Sequence, residues 1–210
     1  MPDNLVELSC ADYSARLASS APVPGGGGTA ALIASLAAAL GTMAANLTVG
    51  KPKFLSFEDG HRRIIERTDA LRQRFLQLVD EDAAAFEPLS RAYSMDRNDP
   101  EASRILTEAT MNAALAPFAM MEGCCELIEL LEELSECCSA LLISDVGCAA
   151  LGARAALECA AMNVFVNTGL LPDDDDAHAL GRKAAAMLDE YKTRAKEISD
   201  RIMERLRSRK

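Results

Sequence analysis

The sequence predicts an all-α protein, a single-domain helical bundle with two central, alanine-rich apolar helices. Alternation of apolar and polar residues, which is typical of strands, is almost absent, whereas apolar residues recur at steps of three and four along most of the chain. Aromatic residues make up only 4% and tryptophan is absent, so small and aliphatic side chains must fill the core. A length of 210 residues suits one domain, and we expect residues 1–210 to form it.

The first half of the chain contains three predicted helices. Ser9 can cap a short helix near the start of the chain. The uncharged run at 29–49 predicts an apolar helix, with Thr29 in position to cap its N-terminus. A long amphipathic helix follows at 57–93, and we expect Pro88 to kink it because proline removes a backbone hydrogen bond.

The second half of the chain contains three more. One helix runs from 100 to 136, with a proline suited to its first turn and a break expected near Pro117. A second apolar helix covers 144–168, and an acidic loop at 173–176 leads into a charged helix that completes the chain. These helices are expected to form one bundle.

Both apolar helices are long enough to cross a bilayer, which has to be weighed against a place in a soluble core. The helix at 29–49 is mostly alanine, which contributes little to membrane insertion. The helix at 144–168 carries Asp145, Arg154 and Glu158, which are costly in lipid. We therefore expect two central helices of a soluble protein and no membrane partner.

Charge and cysteine content argue against several classes of protein. A net charge of −10 argues against nucleic acid as a partner, since proteins that bind it present basic surfaces. The opening residues do not follow the charged-then-apolar pattern of a secretory signal, so we expect a cytoplasmic protein with reduced thiols. The adjacent pairs Cys124–Cys125 and Cys137–Cys138 lack the spacing of a zinc site, and we expect structural cysteines and no metal.

A glycine-rich segment, PVPGGGG at 22–28, precedes the first apolar helix. Glycines let the backbone pass close to another group, and the free N–H groups at a helix start attract an anion or a carbonyl oxygen. No Gly-Lys-Ser/Thr follows and no strand precedes, so the segment is neither a P-loop nor a dinucleotide fingerprint. A ligand cradle and a tight interhelical turn are equally compatible with it. The candidate residues are Gly25, Gly26, Gly27 and Gly28.

A carboxylate interrupts the apolar stripe of the long amphipathic helix. Asp82 lies four residues from both Leu78 and Phe86, so it faces the core while Asp80 and Glu81 point elsewhere. Burial of a carboxylate is costly and raises its pKa toward the range of a general acid or base. The alternative is an aspartate held by an arginine or by backbone donors of a neighbouring helix. The stripe comprises Leu71, Phe75, Leu78, Phe86, Leu89 and Tyr93.

Polar residues also share one face of the second apolar helix. From Asp145, steps of three or four reach Asn163 and Asn167 through small residues, which leaves a shallow groove. Asp145 could instead belong to a helix N-cap with Ser144, and the asparagines could bond to neighbouring helices. On the first apolar helix, the amide of Asn46 needs a partner or a ligand.

Four ordered blocks closely resemble the cyclodeaminase/cyclohydrolase family, which includes the C-terminal domain of formiminotransferase-cyclodeaminase and stand-alone methenyltetrahydrofolate cyclohydrolases. The blocks are the segment at 22–54, LVDEDAAAF at 78–86, the run at 143–167, and the polar C-terminal helix. The resemblance covers essentially the whole chain, so residues 1–210 would form one cyclodeaminase/cyclohydrolase-like helical domain. It implies a homodimer whose folate site lies in a groove where two subunits meet.

The resemblance also implies roles for individual residues. Asp82 matches the family's proposed catalytic aspartate, and Asp145 is a second catalytic candidate. Lys51 and Lys53, which could equally complement the negative end of a helix dipole, would hold the glutamate carboxylates of a folate. The remaining folate contacts are expected from Gly25, Gly26, Gly27, Gly28, Asn46, Asn163 and Asn167.

The implied activity is folate one-carbon chemistry without a metal or redox cofactor. We expect a formiminotetrahydrofolate cyclodeaminase, which converts 5-formiminotetrahydrofolate to 5,10-methenyltetrahydrofolate and ammonia. A methenyltetrahydrofolate cyclohydrolase, which produces 10-formyltetrahydrofolate, is the alternative because both reactions pass through related tetrahedral carbon species. A third possibility is a non-catalytic dimeric helical scaffold that keeps the fold without the activity.

Overall fold

The computed structural model describes residues 4–95 and 99–208. Over these ranges the chain forms six α-helices and two short 3₁₀ segments, Leu5–Glu7 and Pro52–Phe57, and no β-strand. The prediction of an all-α, single-domain protein is confirmed. In chain order the helices are α1 (Cys10–Leu17), α2 (Gly26–Asn46), α3 (Glu58–Ala92), α4 (Pro100–Cys137), α5 (Ile143–Gly169) and α6 (Asp175–Arg207).

Helices α2 and α5 form the antiparallel centre of the bundle. Gly26 at the start of α2 approaches Asn163 near the end of α5, and Gly152 meets Ala37 halfway along. A Cβ on Gly152 would stand 3.2 Å from the Cβ of Ala37, so the two backbones pack closely through small residues. The core of this pair is mostly alanine: Ala30, Ala31, Ala34, Ala37, Ala38, Ala44 and Ala45 of α2, and Ala149, Ala150, Ala153, Ala156, Ala160 and Ala161 of α5.

The other helices enclose this pair. Helix α3 packs against α2, α4 packs against α3 and α5, and α6 covers α5 and α4. The short helix α1 lies beside the segment that enters α2, where Arg16 donates to the carbonyl of Val23 at 3.1 Å. Ser9 caps α1 as predicted, since its hydroxyl accepts from the backbone N–H of Asp12 at 3.1 Å.

The start of α2 differs from the prediction. The helix begins at Gly26 with Gly25 as its N-cap, so Thr29 lies inside the first turn rather than at the cap. The hydroxyl of Thr29 donates to the carbonyl of Gly25 at 2.8 Å. Glycine has a low helix propensity, but here the absence of a side chain leaves room for Asp82 from α3. The glycines of the first turn therefore allow a close tertiary contact between α2 and α3.

Two prolines stand inside long helices. Helix α3 continues through Pro88 to Ala92, and α4 continues through Pro117 to Cys137. The break expected near Pro117 was therefore wrong. Helical stability in proteins comes mostly from tertiary packing, and packing of α4 against α3 and α5 holds the helix together across the missing N–H group.

Helices α2 and α5 are each long and apolar enough to span a membrane by length and composition alone. Within the bundle, 56% of the qualifying window of α2 and 44% of that of α5 is buried, so about half of each window has protein neighbours. The other side forms an exposed apolar stripe, which we call the α2/α5 face. It includes Leu36, Met43, Leu151, Met162 and Val166, whose exposed fractions are 61, 38, 49, 65 and 66%.

Candidate active site

The glycine-rich segment and α3 meet at Asp82. The backbone N–H of Gly28 donates to Oδ2 of Asp82 at 2.8 Å. A Cβ on Gly27 would stand 2.6 Å from Cγ of Asp82, closer than side chains approach, so only glycine leaves room for the carboxylate. The start of α2 thus holds a carboxyl group, and that group is a side chain of the same protomer.

Burial and one hydrogen bond set the electrostatics of Asp82. The residue is half-buried on the core side of α3. Burial raises the pKa of its carboxyl above the ordinary aspartate value, and the hydrogen bond from Gly28 offsets part of that rise. The backbone contact is the structural alternative predicted for Asp82, an aspartate held by backbone donors of a neighbouring helix, and the upward direction of the pKa shift is the one expected of a general acid or base.

Asn163 and Asn167 of α5 stand opposite the glycines. Asn163 Nδ2 lies 3.5 Å from where a Cβ on Gly26 would be, and it donates to the carbonyl of Cys159 at 2.8 Å. Nδ2 of Asn167 donates to the carbonyl of Ala113 at 3.1 Å and to that of Asn163 at 3.0 Å. Both amides therefore use N–H groups within the protein, which leaves Oδ1 as the acceptor that each can offer a ligand.

A cavity of about 240 Å³, which we call the Asp82 cleft, opens between these groups. Phe86 and Leu89 of α3, with Tyr93 directly after it, form an apolar wall of the cleft; these residues were predicted to belong to the apolar stripe but not to a site. Their regular spacing after Asp82 was the signal that could have placed them there. The predicted site residues that line the cleft are Gly25, Gly26, Gly27, Asp82, Asn163 and Asn167.

Tyr13 of α1 closes the space behind the glycine run. It is only 7% exposed, and its hydroxyl lies 3.5 Å from where a Cβ on Gly28 would be. Burial raises the pKa of Tyr13, the hydroxyl of Thr29 opposes that rise, and the charge of Asp82 adds to it. Tyr13 therefore stays neutral, and its buried ring lies beside the start of α2. A single tyrosine on a short helix gave the sequence analysis no signal for this contact.

The other predicted site residues lie at the opposite end of α2 and α5. Asp145 lies near Cys138, where burial raises the pKa of the thiol, Asp145 adds to the rise and Lys51 opposes it. At about 1.5 Å per residue, α5 separates Asp145 from Asn163 by about 27 Å. One protomer therefore does not bring the two groups together, and their shared role stays a prediction. The distant group comprises Asn46, Lys51, Lys53 and Asp145.

The Asp82 cleft combines three chemical capabilities. The carboxyl of Asp82 can donate and accept a proton at a group placed beside it. The side-chain-free glycines allow a planar ligand to approach the backbone closely. The Oδ1 atoms of Asn163 and Asn167 can accept hydrogen bonds from such a ligand. The arrangement therefore suits acid–base chemistry on a planar, hydrogen-bonding molecule.

Comparisons with known proteins agree on one family. The family model described as formiminotransferase-cyclodeaminase matches residues 9–186, a range that contains the glycine run, Asp82 and both asparagines. Methenyltetrahydrofolate cyclohydrolase of Methylorubrum extorquens is 36% identical over 197 residues, which cover 92% of this chain and 93% of the relative. Formimidoyltransferase-cyclodeaminase of Rattus norvegicus is 30% identical over 204 residues, which cover 93% of this chain but only 38% of that larger protein.

A solved structure agrees with the sequence matches. The crystal structure of formiminotetrahydrofolate cyclodeaminase from Thermotoga maritima matches with a TM-score of 0.82 at 26% identity, covering 94% of this chain and 98% of that one. The shared fold therefore extends over nearly the whole of both chains. From these matches and the arrangement around Asp82, the chain belongs to the formiminotransferase-cyclodeaminase family of folate one-carbon enzymes.

Proposed function

We propose that the protein is a formiminotetrahydrofolate cyclodeaminase, which forms 5,10-methenyltetrahydrofolate and releases ammonia. The observation that carries this proposal is Asp82, a half-buried carboxyl with a raised pKa held at the start of α2 beside a cleft. Relatives named for this reaction match more than nine-tenths of the chain, which supports the proposal.

The reaction requires proton delivery to a poor leaving group. N10 of the substrate attacks the formimino carbon, a new carbon–nitrogen bond forms, and the formimino nitrogen becomes an amine. This nitrogen gains two protons before it leaves as ammonia, one from N10 and one from the carboxyl of Asp82. The methenyl bridge remains as a cation, which the carboxylate of Asp82 stabilises. Water then returns a proton to Asp82.

The cleft would hold the pterin ring of the substrate beside Asp82. A pterin carries N–H groups along one edge, and the Oδ1 atoms of Asn163 and Asn167 are the acceptors that face it. The glycines at the start of α2 leave the ring room to approach the backbone. In this proposal the one-carbon centre, at the edge of the ring, lies next to the carboxyl that moves the proton.

A methenyltetrahydrofolate cyclohydrolase is the second candidate. The 36% identity to the Methylorubrum extorquens enzyme, with more than nine-tenths of each chain covered, favours it. In this reaction water attacks the methenyl carbon, the bond from that carbon to N5 breaks, and 10-formyltetrahydrofolate results. Asp82 would accept one proton of the attacking water and pass it to N5, and the second proton of that water would leave to solvent as the hydroxyl becomes the formyl carbonyl, so the carboxyl would act first as a base and then as an acid.

The protein is further proposed to work as a homodimer through the α2/α5 face. An apolar surface of this extent is typical of an interface. A two-fold axis perpendicular to α2 and α5 would reverse their direction. That reversal would place the Asp145 end of one protomer beside the Asp82 cleft of its partner. The distant predicted residues Asn46, Lys51, Lys53 and Asp145 would then complete each site, with the lysines near the glutamate carboxylates.

The remaining expectations follow from the proposed chemistry. Every step above moves protons or exchanges carbon–nitrogen and carbon–oxygen bonds, so we propose that no metal or redox cofactor takes part. A net charge of −10 disfavours nucleic acid as a partner. With relatives that are metabolic folate enzymes, a cytoplasmic location without a membrane partner is the proposal.

Absorbance of 5,10-methenyltetrahydrofolate distinguishes the candidate activities. Growth of its ultraviolet band from 5-formiminotetrahydrofolate indicates a cyclodeaminase, and accelerated decay of the band indicates a cyclohydrolase. Asp82→Asn keeps the size of the side chain and an acceptor for Gly28 but cannot donate a carboxyl proton. We expect it to lower either rate by about 10²–10⁴-fold.

The neighbouring carboxylate provides the matched control. Glu81 is exposed and pairs with Arg74 on the outer side of α3, so Glu81→Gln should keep the wild-type rate. Equal losses in Asp82→Asn and Glu81→Gln would contradict the role of Asp82. An absence of activity in both directions, with no folate-induced rise in Tm, would instead indicate the non-catalytic scaffold.

A further inference from the structure

A second cavity, of about 360 Å³, lies next to the Asp82 cleft, and we call it the distal chamber. Tyr93 lines both cavities. The end of α5 continues from one to the other, because Asn167 lines the cleft and Leu170 lines the chamber. The N-terminal part of α4 also borders both cavities, because Ala113 lines the cleft and Thr110, about one turn earlier, lines the chamber. The two cavities are therefore adjoining parts of one groove.

The Asp82 cleft is too small to enclose a folate by itself. Its volume of about 240 Å³ lies below the roughly 300–1,000 Å³ of most small-molecule sites. A tetrahydrofolate has two ring systems, a pterin and a p-aminobenzoyl group, on opposite sides of the one-carbon centre. If that carbon lies at Asp82, one ring system stays in the cleft and the other must extend into a neighbouring space.

The two cavities differ in polarity. The cleft presents the carboxyl of Asp82, glycine backbone and two amide oxygens, which suit the hydrogen-bonding edge of a pterin. Among its described lining residues, the distal chamber has no charged side chain. An apolar wall with a few hydroxyls suits a neutral aromatic ring with an amide substituent. The wall and the hydroxyls come from Tyr93, Ser103, Leu106, Thr107, Leu170 and Leu171.

We propose that the distal chamber binds the p-aminobenzoyl arm of the folate, with Tyr93 at the boundary between the two rings. This inference rests on the proposed folate activity and assigns the direction in which the substrate lies. The arm then runs along α3 and α5 away from the glycine run. Within one protomer it does not run toward Lys51, which α2 places about 30 Å from Gly26, beyond the length of a folate monoglutamate.

Filling the chamber tests this assignment. Thr107 is half-buried, lines the chamber and does not line the cleft, so Thr107→Trp removes space for the arm and leaves Asp82 untouched. We expect KM for the folate substrate to rise at least about tenfold. Binding of p-aminobenzoylglutamate, measured by equilibrium dialysis, should be lost, while the Kd of tetrahydropterin, which lacks the arm, should stay within about twofold of wild type.

Two further variants protect the test from folding effects. Met203→Trp places the same bulk at an exposed position of α6 and should leave KM and both affinities unchanged. Ser103→Phe intrudes into the chamber from an exposed position, and it replaces Thr107→Trp if that variant fails to fold. Wild-type KM and wild-type affinity for p-aminobenzoylglutamate in a folded chamber variant would overturn the inference.

The outcome separates this inference from the function on which it rests. If the wild-type enzyme is active and its chamber variants behave like wild type, the chamber assignment is wrong and the proposed activity stands. If the wild-type protein turns over neither of the two folate substrates and binds neither p-aminobenzoylglutamate nor tetrahydropterin, both the chamber assignment and the proposed activity are wrong.

Discussion

The two ends of the α2/α5 pair carry polar residues in equal measure but hold them differently. At the Asp82 end, side chains from α3 and α5 converge on the start of α2, and a cleft lies between them. At the Lys51 end, Lys51 and Lys53 are exposed and lie outside the cleft. Residues that share one face of a helix therefore do not necessarily belong to one site, because groups along that face can lie a whole helix length apart.

The largest expected effect concerns whether a dimer joins the two ends. Leu36 lies midway along α2 on the α2/α5 face, 61% exposed, and is far from both ends. Leu36→Glu should produce a monomer by light scattering, since two carboxylates would face each other across the interface. Its activity should fall below detection because a monomer would lack the partner's share of each proposed site. Met203→Glu, on exposed α6, should stay dimeric and active, and an active Leu36→Glu monomer would refute the shared site.

Gly27→Ala tests the close approach at the Asp82 end. The new Cβ would overlap the carboxyl group of Asp82, so either the carboxyl or the start of α2 must move. A displaced acid–base group costs about 10²-fold in rate. We expect that loss in kcat, measured by methenyltetrahydrofolate absorbance. Gly169→Ala meets no atom within 4 Å and serves as the control. Wild-type kcat in Gly27→Ala would show that the carboxyl position is not critical.

The double variant Lys51→Ala/Lys53→Ala tests the other end. If these lysines hold folate carboxylates in the dimer, KM for a polyglutamylated substrate should rise about tenfold while kcat changes little. The rise should shrink at high salt, because exposed ion pairs are screened. Lys192 pairs with Asp189 on α6, and Lys192→Ala should leave KM unchanged. A double variant with wild-type KM at low salt would remove the lysines from the site.

The smallest effect is on stability, and its size depends on pH. Burial raises the pKa of folded Asp82 above the ordinary value of about 3.9. Between the two pKa values the folded state binds more protons, so wild-type stability falls as pH rises through that window. Asp82→Asn has no carboxylate to bury, so it should melt about 2 °C higher than the wild-type protein at neutral pH. The difference should vanish below about pH 4, and a lower Tm of the variant at neutral pH would contradict the burial cost.

Sequence periodicity predicted the helices well because it reflects burial directly. The apolar runs expected at 29–49 and 144–168 became Gly26–Asn46 and Ile143–Gly169, and Ser9 caps α1 as expected. The errors occur where tertiary contacts outweigh local preference. Glycine has a low helix propensity, yet α2 begins within the glycine run, where only glycine leaves room for the carboxyl of Asp82.

The sequence predicted which types of residue form candidate sites, but not how far apart those residues lie along the helices. A carboxylate on an apolar stripe identified Asp82, because its burial is visible in the spacing alone. The same reasoning grouped Asp145 with Asn163, since periodicity specifies the side of a helix and not the level along it. The contact of Tyr13 with Gly28 was beyond reach, because it depends on how α1 folds back over the loop.

The packing of α2 against α5 has a consequence for how this chain can vary. A Cβ added at Gly152 would stand 3.2 Å from the Cβ of Ala37, so removing atoms here frees little volume, whereas an added methyl group requires the neighbouring helix to shift. Overpacking of this kind typically costs about 1–3 kcal/mol. Directed evolution of the protein should therefore accept almost no enlarged side chain along this seam. In a selected library, accepted substitutions would concentrate on the outer helices, and the residues packed between α2 and α5 would stay unchanged.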